Sequence, residues 1–215
     1  LLYATELAIW HVSLQTTTVA NATVIANFYP ALVTLYVWVL FGERARKLFL
    51  VGLAVAVAGM LMLSAGNFRL RGEGLAGDAL SVLTSVFYAG YFVVVARLRA
   101  KHDTALIVVW TAAVASTALL PIALMTSDTI FPSSWQGWSA LLLLAFICQA
   151  GAQSVIAFAL AHLPAPLSAV TLMIQPLTAG IMAWIILGEA LGSLQVLGGI
   201  VLLAGILIAR QGSRR

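Results

Sequence analysis

Long apolar runs, separated only by short polar joints, account for almost the whole of this sequence. They form eight segments, at 1–14, 20–41, 48–66, 75–96, 104–125, 138–161, 166–187 and 193–209. A helix needs about 20 mainly apolar residues to cross the ~30 Å hydrocarbon layer, so only the first segment is clearly too short to span alone. Charged residues make up 8% of the chain, whereas a soluble domain is about a quarter charged. The pattern predicts an all-α, polytopic membrane protein.

Two other classes fit the sequence poorly. Membrane β-strands alternate apolar and polar residues over about ten positions, whereas these runs are apolar on nearly all sides. The formal net charge of +4 is compatible with nucleic-acid binding, but the basic residues form short clusters between apolar runs and no sustained basic face. We therefore expect the lipid bilayer, and no nucleic acid, as the macromolecular partner.

The sequence matches itself without gaps at an offset of 146 residues. The pairs in register include Pro30 with Pro176, Trp38 with Trp184, Gly42-Glu43 with Gly188-Glu189, Gly52 with Gly198, and Gly59 with Gly205. The first three segments thus repeat the last three, which predicts an N-terminal repeat at 1–66 and a C-terminal repeat at 67–215. We expect two five-helix halves in a complete molecule, with the first two of its ten helices absent here. The paired glycines are expected to permit close helix approach.

An odd number of helices per half places the second half in the membrane in the opposite orientation, as in many secondary transporters. The distribution of basic residues supports this inverted arrangement. If the segments alternate, one side carries Arg44, Arg46, Lys47, Arg97, Arg99, Lys101, Arg210, Arg214 and Arg215, and the other carries Arg69 and Arg71. The positive-inside rule then predicts a cytoplasmic C-terminus in a cell membrane, with a bacterial inner membrane as the expected location.

The stretch 16–43 contains Ala20-Asn21-Ala22, then Pro30, Trp38 and Gly42-Glu43, and its second copy repeats the proline, the tryptophan and the Gly-Glu pair. This doubled pattern resembles the EamA-type repeat of the drug/metabolite transporter superfamily. The resemblance covers essentially the whole chain. It implies a ten-helix transporter with both termini in the cytoplasm. It also implies a central cavity for small metabolites, often amino acids or related compounds that leave the cell.

Glu6 is the acid expected deepest in the membrane. It lies eight residues before Leu14, which is about 12 Å along a helix. Such an acid usually faces a cavity or a partner, where it binds a proton or a cationic group; the alternative is a position nearer the surface. Trp10 shares its helical face at i+4 and is a candidate to pack over a ligand. His11 lies about 140° around the helix, and is either a second proton site or a neutral side chain bonded to a neighbouring helix.

Polar and aromatic residues form stripes on otherwise apolar helices. They are Ser81, Thr84, Tyr88 and Tyr91 on the fourth segment, Gln149 and Gln153 on the sixth, and Asn27 with Thr34 on the second, while Gln175 lies directly before Pro176. Such side chains must face protein or water, so we expect them in or near one central cavity. Hydrogen bonding between helices, at about 0.6–2 kcal/mol per contact, is the other explanation for each stripe.

Pro30 and Pro176 are predicted inside helices, where each removes a backbone hydrogen bond and produces a kink. Their symmetric positions indicate paired hinges for alternating access, although a static kink needed only for packing explains them equally well.

The leading interpretation is a secondary transporter that exports small metabolites, such as amino acids or related amphiphilic compounds, through a central cavity. Proton coupling through Glu6 and simple facilitation both remain open. No GxxxxGK[ST] loop for ATP and no HExxH or GxSxG signature is present, so we expect no enzyme activity. No His, Cys or carboxylate cluster has metal-ligand spacing, and no cofactor is indicated. A truncated, non-transporting membrane protein or scaffold is the alternative.

Overall fold

The computed structural model describes residues 1–64, 74–126, 131–188 and 192–213. Arg69, Arg71, Glu189, Arg214 and Arg215 from the charge and repeat analysis lie outside these residues. The helices are α1 (Leu2–Thr16), α2 (Val19–Ala26), α3 (Tyr29–Phe41), α4 (Lys47–Ser64), α5 (Leu75–Leu98), α6 (Thr104–Thr126), α7 (Trp135–Leu143), α8 (Gln153–His162), α9 (Ala165–Leu172), α10 (Gln175–Leu187) and α11 (Ser193–Ser213), with a π-helical stretch at Leu144–Ala152.

Within the described residues, seven helical spans are long and apolar enough to cross a membrane. The pairs α2–α3 and α9–α10 each form one span, as does the run from α7 to α8. Helix α1 has 15 residues and falls short, as its sequence predicts. The predicted class, an all-α polytopic membrane protein, is confirmed.

The repeat found in the sequence is present in the helix boundaries. Helix α9 begins at residue 165 and α2 at residue 19, and α10 begins at residue 175 and α3 at residue 29, which is the same offset of 146 in both pairs. Both α3 and α10 end at a glycine, Gly42 or Gly188, with φ of 71°. This left-handed conformation carries a steric penalty for any residue with a Cβ, which explains why glycine recurs there.

The expectation that the two prolines lie inside continuous helices is wrong in one respect. Each span is interrupted, and Pro30 and Pro176 occupy the first turn of α3 and α10. The ring fits there because the first helical amides have no intrahelical acceptor and the fixed φ suits a helix start. The sequence therefore predicted the place of the disruption but not its form, which is a break between two helices.

Helices α4 and α11 pack along their length in the closest helix pair of the described chain. A Cβ added at Gly59 would overlap the backbone of Leu202, and one added at Gly205 would overlap the backbone of Ala56. The expectation that these glycines permit close approach is confirmed.

The same helix pair shows how the halves are related. Gly52 meets Ala209, and their repeat equivalents, Gly198 and Leu63, also meet. Such reciprocity is the mark of a two-fold relation. From one contact to the next, the residue number rises in α4 while it falls in α11. The two equivalent helices are therefore antiparallel. An axis along the membrane normal would make them parallel, so the pseudo-two-fold axis lies in the membrane plane, as an inverted repeat requires.

Helix α5 connects the two halves by packing against α1, α2 and α3. Near its start, a Cβ on Gly77 would overlap the backbone at Thr16 and Thr17. The carboxylate of Asp78 accepts a hydrogen bond from the Thr17 hydroxyl at 2.7 Å. These contacts fix α5 against the end of α1, and thereby place the α5 side chains opposite those of α1.

One end of the bundle is where α3, α5 and α8 end and where α4 and α9 begin. We call it the basic end. It carries Arg44, Arg46, Lys47, Arg97, Arg99 and Lys101. Arg97 donates to Glu43 at 2.8 Å and lies over the ring of Phe41. Arg99 donates to the carbonyl of Ala157 at 3.0 Å. The basic residues on this face therefore also join α5 to α8 and to the end of α3.

Candidate substrate cavity

A cavity of about 210 Å³ lies between α1, α2, α3, α5 and α10, and so has walls from both halves. It is lined by Glu6, Trp10, Thr23, Ala26, Asn27, Tyr29, Thr84, Tyr88 and Gln175. Six of these nine residues are among the eleven substrate-binding candidates taken from the sequence. The fold thus brings together residues that are up to 169 positions apart in the sequence, Glu6 and Gln175.

Among the described residues that line this cavity, Glu6 is the one carboxylic acid. Its side chain is 9% exposed, and it makes no hydrogen bond or ion pair with another described residue. The packing of α1 against α5 produces this burial. Trp10 lines the cavity one helical turn away, as the i+4 spacing predicts. A buried carboxyl that lacks a protein partner is available to a proton or to a ligand.

Asn27 lies in the break between α2 and α3. Its Nδ2 donates to the carbonyl of Thr23 at 2.8 Å, while its buried Oδ1 has no hydrogen-bond partner among the described residues. Tyr29 and Gln175 begin the second helix of each broken span and are equivalent in the repeat. Both line the cavity, so the two helix breaks form part of its wall.

Helix α5 contributes Thr84 and Tyr88 to the cavity. The hydroxyl of Thr84 donates to the carbonyl of Leu80 at 3.0 Å. Ser81 lies outside the lining, fully buried, and donates to the carbonyl of Gly77 at 2.9 Å. The hydroxyls of Thr84 and Ser81 thus both bond to the backbone of α5, and the predicted polar stripe divides into Thr84 and Tyr88, which line the cavity, and Ser81, which does not.

Five aromatic side chains form a layer between the cavity and the basic end: Tyr3, Tyr29, Tyr88, Tyr91 and Phe92. The ring centroids of Tyr3 and Tyr91 are 4.8 Å apart, and those of Tyr29 and Tyr88 are 4.7 Å apart in an edge-on contact. Tyr88 lies 6.2 Å from Phe92. Tyr3 precedes Glu6 on α1, and Tyr91 follows Tyr88 on α5, so both lie on the side of the cavity nearer the basic end. The aromatic layer therefore lies on the side of the cavity nearer the basic end.

Hydrogen bonds join the aromatic layer to the C-terminal half. The hydroxyl of Tyr3 donates to Oε1 of Gln149 at 2.9 Å and accepts from Nε2 of Gln153 at 3.4 Å. The hydroxyl of Tyr29 donates to the carbonyl of Ala169 at 3.3 Å. Tyr3 and Gln149 are 146 residues apart and hence equivalent in the repeat, so their bond lies on the pseudo-two-fold axis. The two glutamines face Tyr3 and not the cavity.

The structure places the remaining candidates elsewhere. His11 is exposed, with Nδ1 2.7 Å from the carbonyl of Leu7 on its own helix. Tyr91 belongs to the aromatic layer. No group of three His, Cys, Asp or Glu residues that could hold a metal ion occurs in the described ranges. The substrate contacts proposed for His11, Ser81, Tyr91, Gln149 and Gln153 therefore stay predictions.

The sequence reasoning did not select Tyr3, Thr23 or Tyr29. The repeat offset contained a signal for two of them, because Tyr3 aligns with Gln149 and Tyr29 with Gln175. Polar residues at equivalent positions near an inverted-repeat axis are expected to meet. Thr23 carries no comparable signal.

The sixth predicted segment, at 138–161, also differs in detail. Its helix begins at Trp135, and it includes the π-helical stretch Leu144–Ala152 that contains Gln149. A π stretch changes the phase of the side chains relative to an α-helix, and such stretches are frequent at functional sites. The pattern of apolar residues carries no signal for it, since this segment is apolar on nearly all faces.

The two halves run in opposite directions, their spans are broken at equivalent residues, and a cavity lies between them. These features define an inverted-repeat membrane protein, a class common among secondary transporters. Comparison with known sequences gives the family. The profile of the EamA-like transporter family matches residues 5–65 and 75–211. The chain belongs to the EamA-like transporter family.

Individual relatives agree with this assignment. The pseudopaline exporter CntI of Pseudomonas aeruginosa (strain UCBPP-PA14) is 30% identical over 183 residues, which cover 85% of this chain and 63% of the exporter. An uncharacterized transporter of Archaeoglobus fulgidus is 28% identical over 212 residues, which cover 96% of this chain and 70% of that protein. A crystal structure with 19% sequence identity shares the fold at a TM-score of 0.83 over 96% of this chain and 72% of that one. The chain thus spans under two thirds of the length of the exporter.

Proposed function

We propose that the protein is a secondary transporter that exports small metabolites, such as amino acids or related amphiphilic compounds, through the cavity around Glu6. The observation that carries this proposal is a cavity with walls from both inverted halves that contains a buried carboxyl with no hydrogen-bond or ion-pair partner among the described residues. Family membership supports transport, and the similarity to an exporter supports the outward direction.

The proposed mechanism is alternating access. The breaks before Pro30 and Pro176 lack part of the regular helical hydrogen bonding, so they are the places where each span bends most easily. In this proposed mechanism, the aromatic layer acts as the closure towards the basic end. Opening that end requires the bond between Tyr3 and Gln149 to break, because it joins the two halves.

Glu6 is the proposed exchange site, where a proton or a cationic group of the substrate binds. The titratable side chains around it are Tyr3 on its own helix, Tyr29 on α3, and Tyr88 and Tyr91 on α5. These phenols are neutral in the physiological range because an unperturbed tyrosine titrates near pH ~10. Glu6 is therefore the group that changes charge during the cycle.

Solute flux into sealed vesicles tests the proposal. Vesicles that contain the purified protein should accumulate labelled amino acids or amines faster than empty vesicles, without ATP. A control in which Glu6 is replaced by arginine should not transport, since a cation would occupy the cavity. If no solute of either class crosses faster than in empty vesicles, the non-transporting scaffold is the better interpretation.

Removing the hydroxyl that joins the halves should favour opening at the basic end. Tyr3→Phe retains the ring contact with Tyr91 but loses the hydrogen bonds to Gln149 and Gln153. A typical hydrogen bond contributes about 0.5–1.5 kcal/mol, so we expect roughly two- to tenfold faster modification of a cavity cysteine from that side. The measurement is the labelling rate of Thr84→Cys by a water-soluble thiol reagent, after the native Cys148 is replaced by alanine.

Tyr36→Phe is the matched control for this experiment. Tyr36 also donates its hydroxyl to another helix, to the carbonyl of Val86 at 3.4 Å, but it lies outside the aromatic layer. Its variant should label at the parent rate. Equal labelling of Tyr3→Phe and the parent would show that the Tyr3 bonds do not hold the basic end closed.

A further inference from the structure

We propose that the cavity selects a small organic monocation, an amine attached to a single apolar or aromatic group, and excludes organic anions of the same size. This inference rests on the proposed function, because it names the substrate class of the same cavity. It depends on the charge, the hydrogen-bonding capacity, the aromatic surface and the volume of the lining.

The charge of the lining has one sign. Glu6 is present, and the described residues of the lining include no Arg, Lys or His. The basic side chains of the described chain lie at the end of the bundle beyond the aromatic layer, and His11 is exposed outside the cavity. In a site of low dielectric constant, a carboxylate attracts a cation strongly and repels an anion by a similar amount. An organic anion would also enter without a counter-charge, which is costly for a buried ion.

The hydrogen-bonding groups of the lining are compatible with an ammonium group. The carboxyl of Glu6 makes no hydrogen bond within the described chain. An ammonium group carries three donors and no acceptor, so it can donate to the oxygens of this carboxyl. The Trp10 indole and the Gln175 amide also line the cavity and can donate to a polar group of a ligand. The hydrogen-bonding capacity therefore permits an ammonium group, and the charge of Glu6 sets the preference for it.

The aromatic residues favour a cation with an apolar body. Trp10 lies one turn from Glu6 on the same face of α1, and Tyr88 and Tyr29 line the opposite wall. Aromatic faces attract ammonium groups, most strongly when water is excluded, and they also stack on flat apolar groups. The combination accommodates the charged and the apolar ends of one molecule.

The volume suits a small molecule. The cavity holds about 210 Å³. Pockets for drug-sized ligands hold about 300–1,000 Å³, so this one is suited to a molecule with a single ring or a short chain.

Three molecules with the same ring test the charge preference: 2-phenylethylamine, the neutral 2-phenylethanol and the anion phenylacetate. Binding of each to the full chain in detergent is measured by isothermal titration calorimetry at pH 7. We expect the amine to bind at least tenfold more tightly than the alcohol, and phenylacetate to show no binding. Glu6→Gln should weaken amine binding roughly 30-fold or more, as is usual when one member of a buried charge pair is neutralised.

Two further variants distinguish a loss of binding from a folding defect. Trp10→Leu retains the carboxyl and removes the aromatic face, and should weaken amine binding several-fold while alcohol binding changes little. Asp103→Asn removes an exposed acid outside the cavity and should bind the amine like the parent. Phenylacetate binding as tight as that of the amine, or amine binding that is unchanged in Glu6→Gln and Trp10→Leu, would overturn the proposal.

The outcomes also separate this inference from the transport proposal. If vesicles accumulate a neutral or anionic metabolite while the amine does not bind, the substrate class is wrong and the transporter proposal stands. If the amine binds in a manner that depends on Glu6 but no solute crosses the membrane, the binding site stands and the transport proposal fails.

Discussion

Replacement of Gly59 by alanine should strongly destabilise the folded protein. The new Cβ would overlap the backbone nitrogen and Cα of Leu202, and would lie 2.8 Å from the carbonyl oxygen of Gly198. A backbone atom cannot turn away as a side chain can, so α4 and α11 would have to separate. Overpacking in a well-packed core costs typically about 1–3 kcal/mol, and we expect the upper end of this range or more because α4 and α11 pack along their whole length.

The measurement is the thermal midpoint of the purified protein, followed by tryptophan fluorescence. Gly90→Ala is the matched control, since Gly90 is also inside a helix but its added Cβ would lie 3.7 Å from the side chain of Leu2, an ordinary contact. This control should unfold near the parent temperature. Similar midpoints for Gly59→Ala and Gly90→Ala would mean that the close approach of α4 and α11 is not required for stability.

Neutralisation of Glu6 should abolish pH-dependent transport. In the parent, acidification without a pH gradient protonates Glu6 and removes the negative charge that attracts a cationic substrate, so uptake should fall as the pH falls. Glu6→Gln retains the size and the hydrogen-bonding groups of the side chain but neither titrates nor carries a charge. We expect its uptake to be low and unchanged with pH, at least tenfold below the parent at neutral pH, while folding and membrane insertion are retained.

Uptake of labelled amine into vesicles at several pH values measures this effect. Glu43→Gln is the control, because it removes an acid from an exposed ion pair with Arg97 at the basic end. Exposed ion pairs contribute little, so this variant should retain the pH profile of the parent. An unchanged rate and pH profile in Glu6→Gln would indicate that Glu6 is structural and that the carrier works without a titrating carboxylate.

Part of the candidate site could be predicted from the sequence because depth and helical phase are local properties. Glu6 and Trp10 lie one turn apart on an apolar helix, and Thr84 and Tyr88 do the same on α5; all four line the cavity. Contacts between distant helices could not be predicted in the same way. Two residues of the same polar stripe can differ in their surroundings: Thr84 lines the cavity, whereas Ser81 is buried outside it, although the hydroxyls of both bond to the backbone of α5.

The class, the repeat and the places where two spans are interrupted can all be obtained from the amino-acid sequence. Apolar length decides whether a segment can cross a bilayer, and the 146-residue offset carries the proline, glycine and tryptophan positions from one half to the other. These features depend on one segment, or on two equivalent segments, and on the solvent around them. The contacts between helices appear only in three dimensions: Tyr3 and Gln149 bond on the pseudo-two-fold axis, five aromatic rings lie between the cavity and the basic end, and Glu6 makes no hydrogen bond within the described chain. Each of these contacts depends on the rotation and the depth of several helices at once. Close packing between helices sets both quantities, and no single segment encodes them.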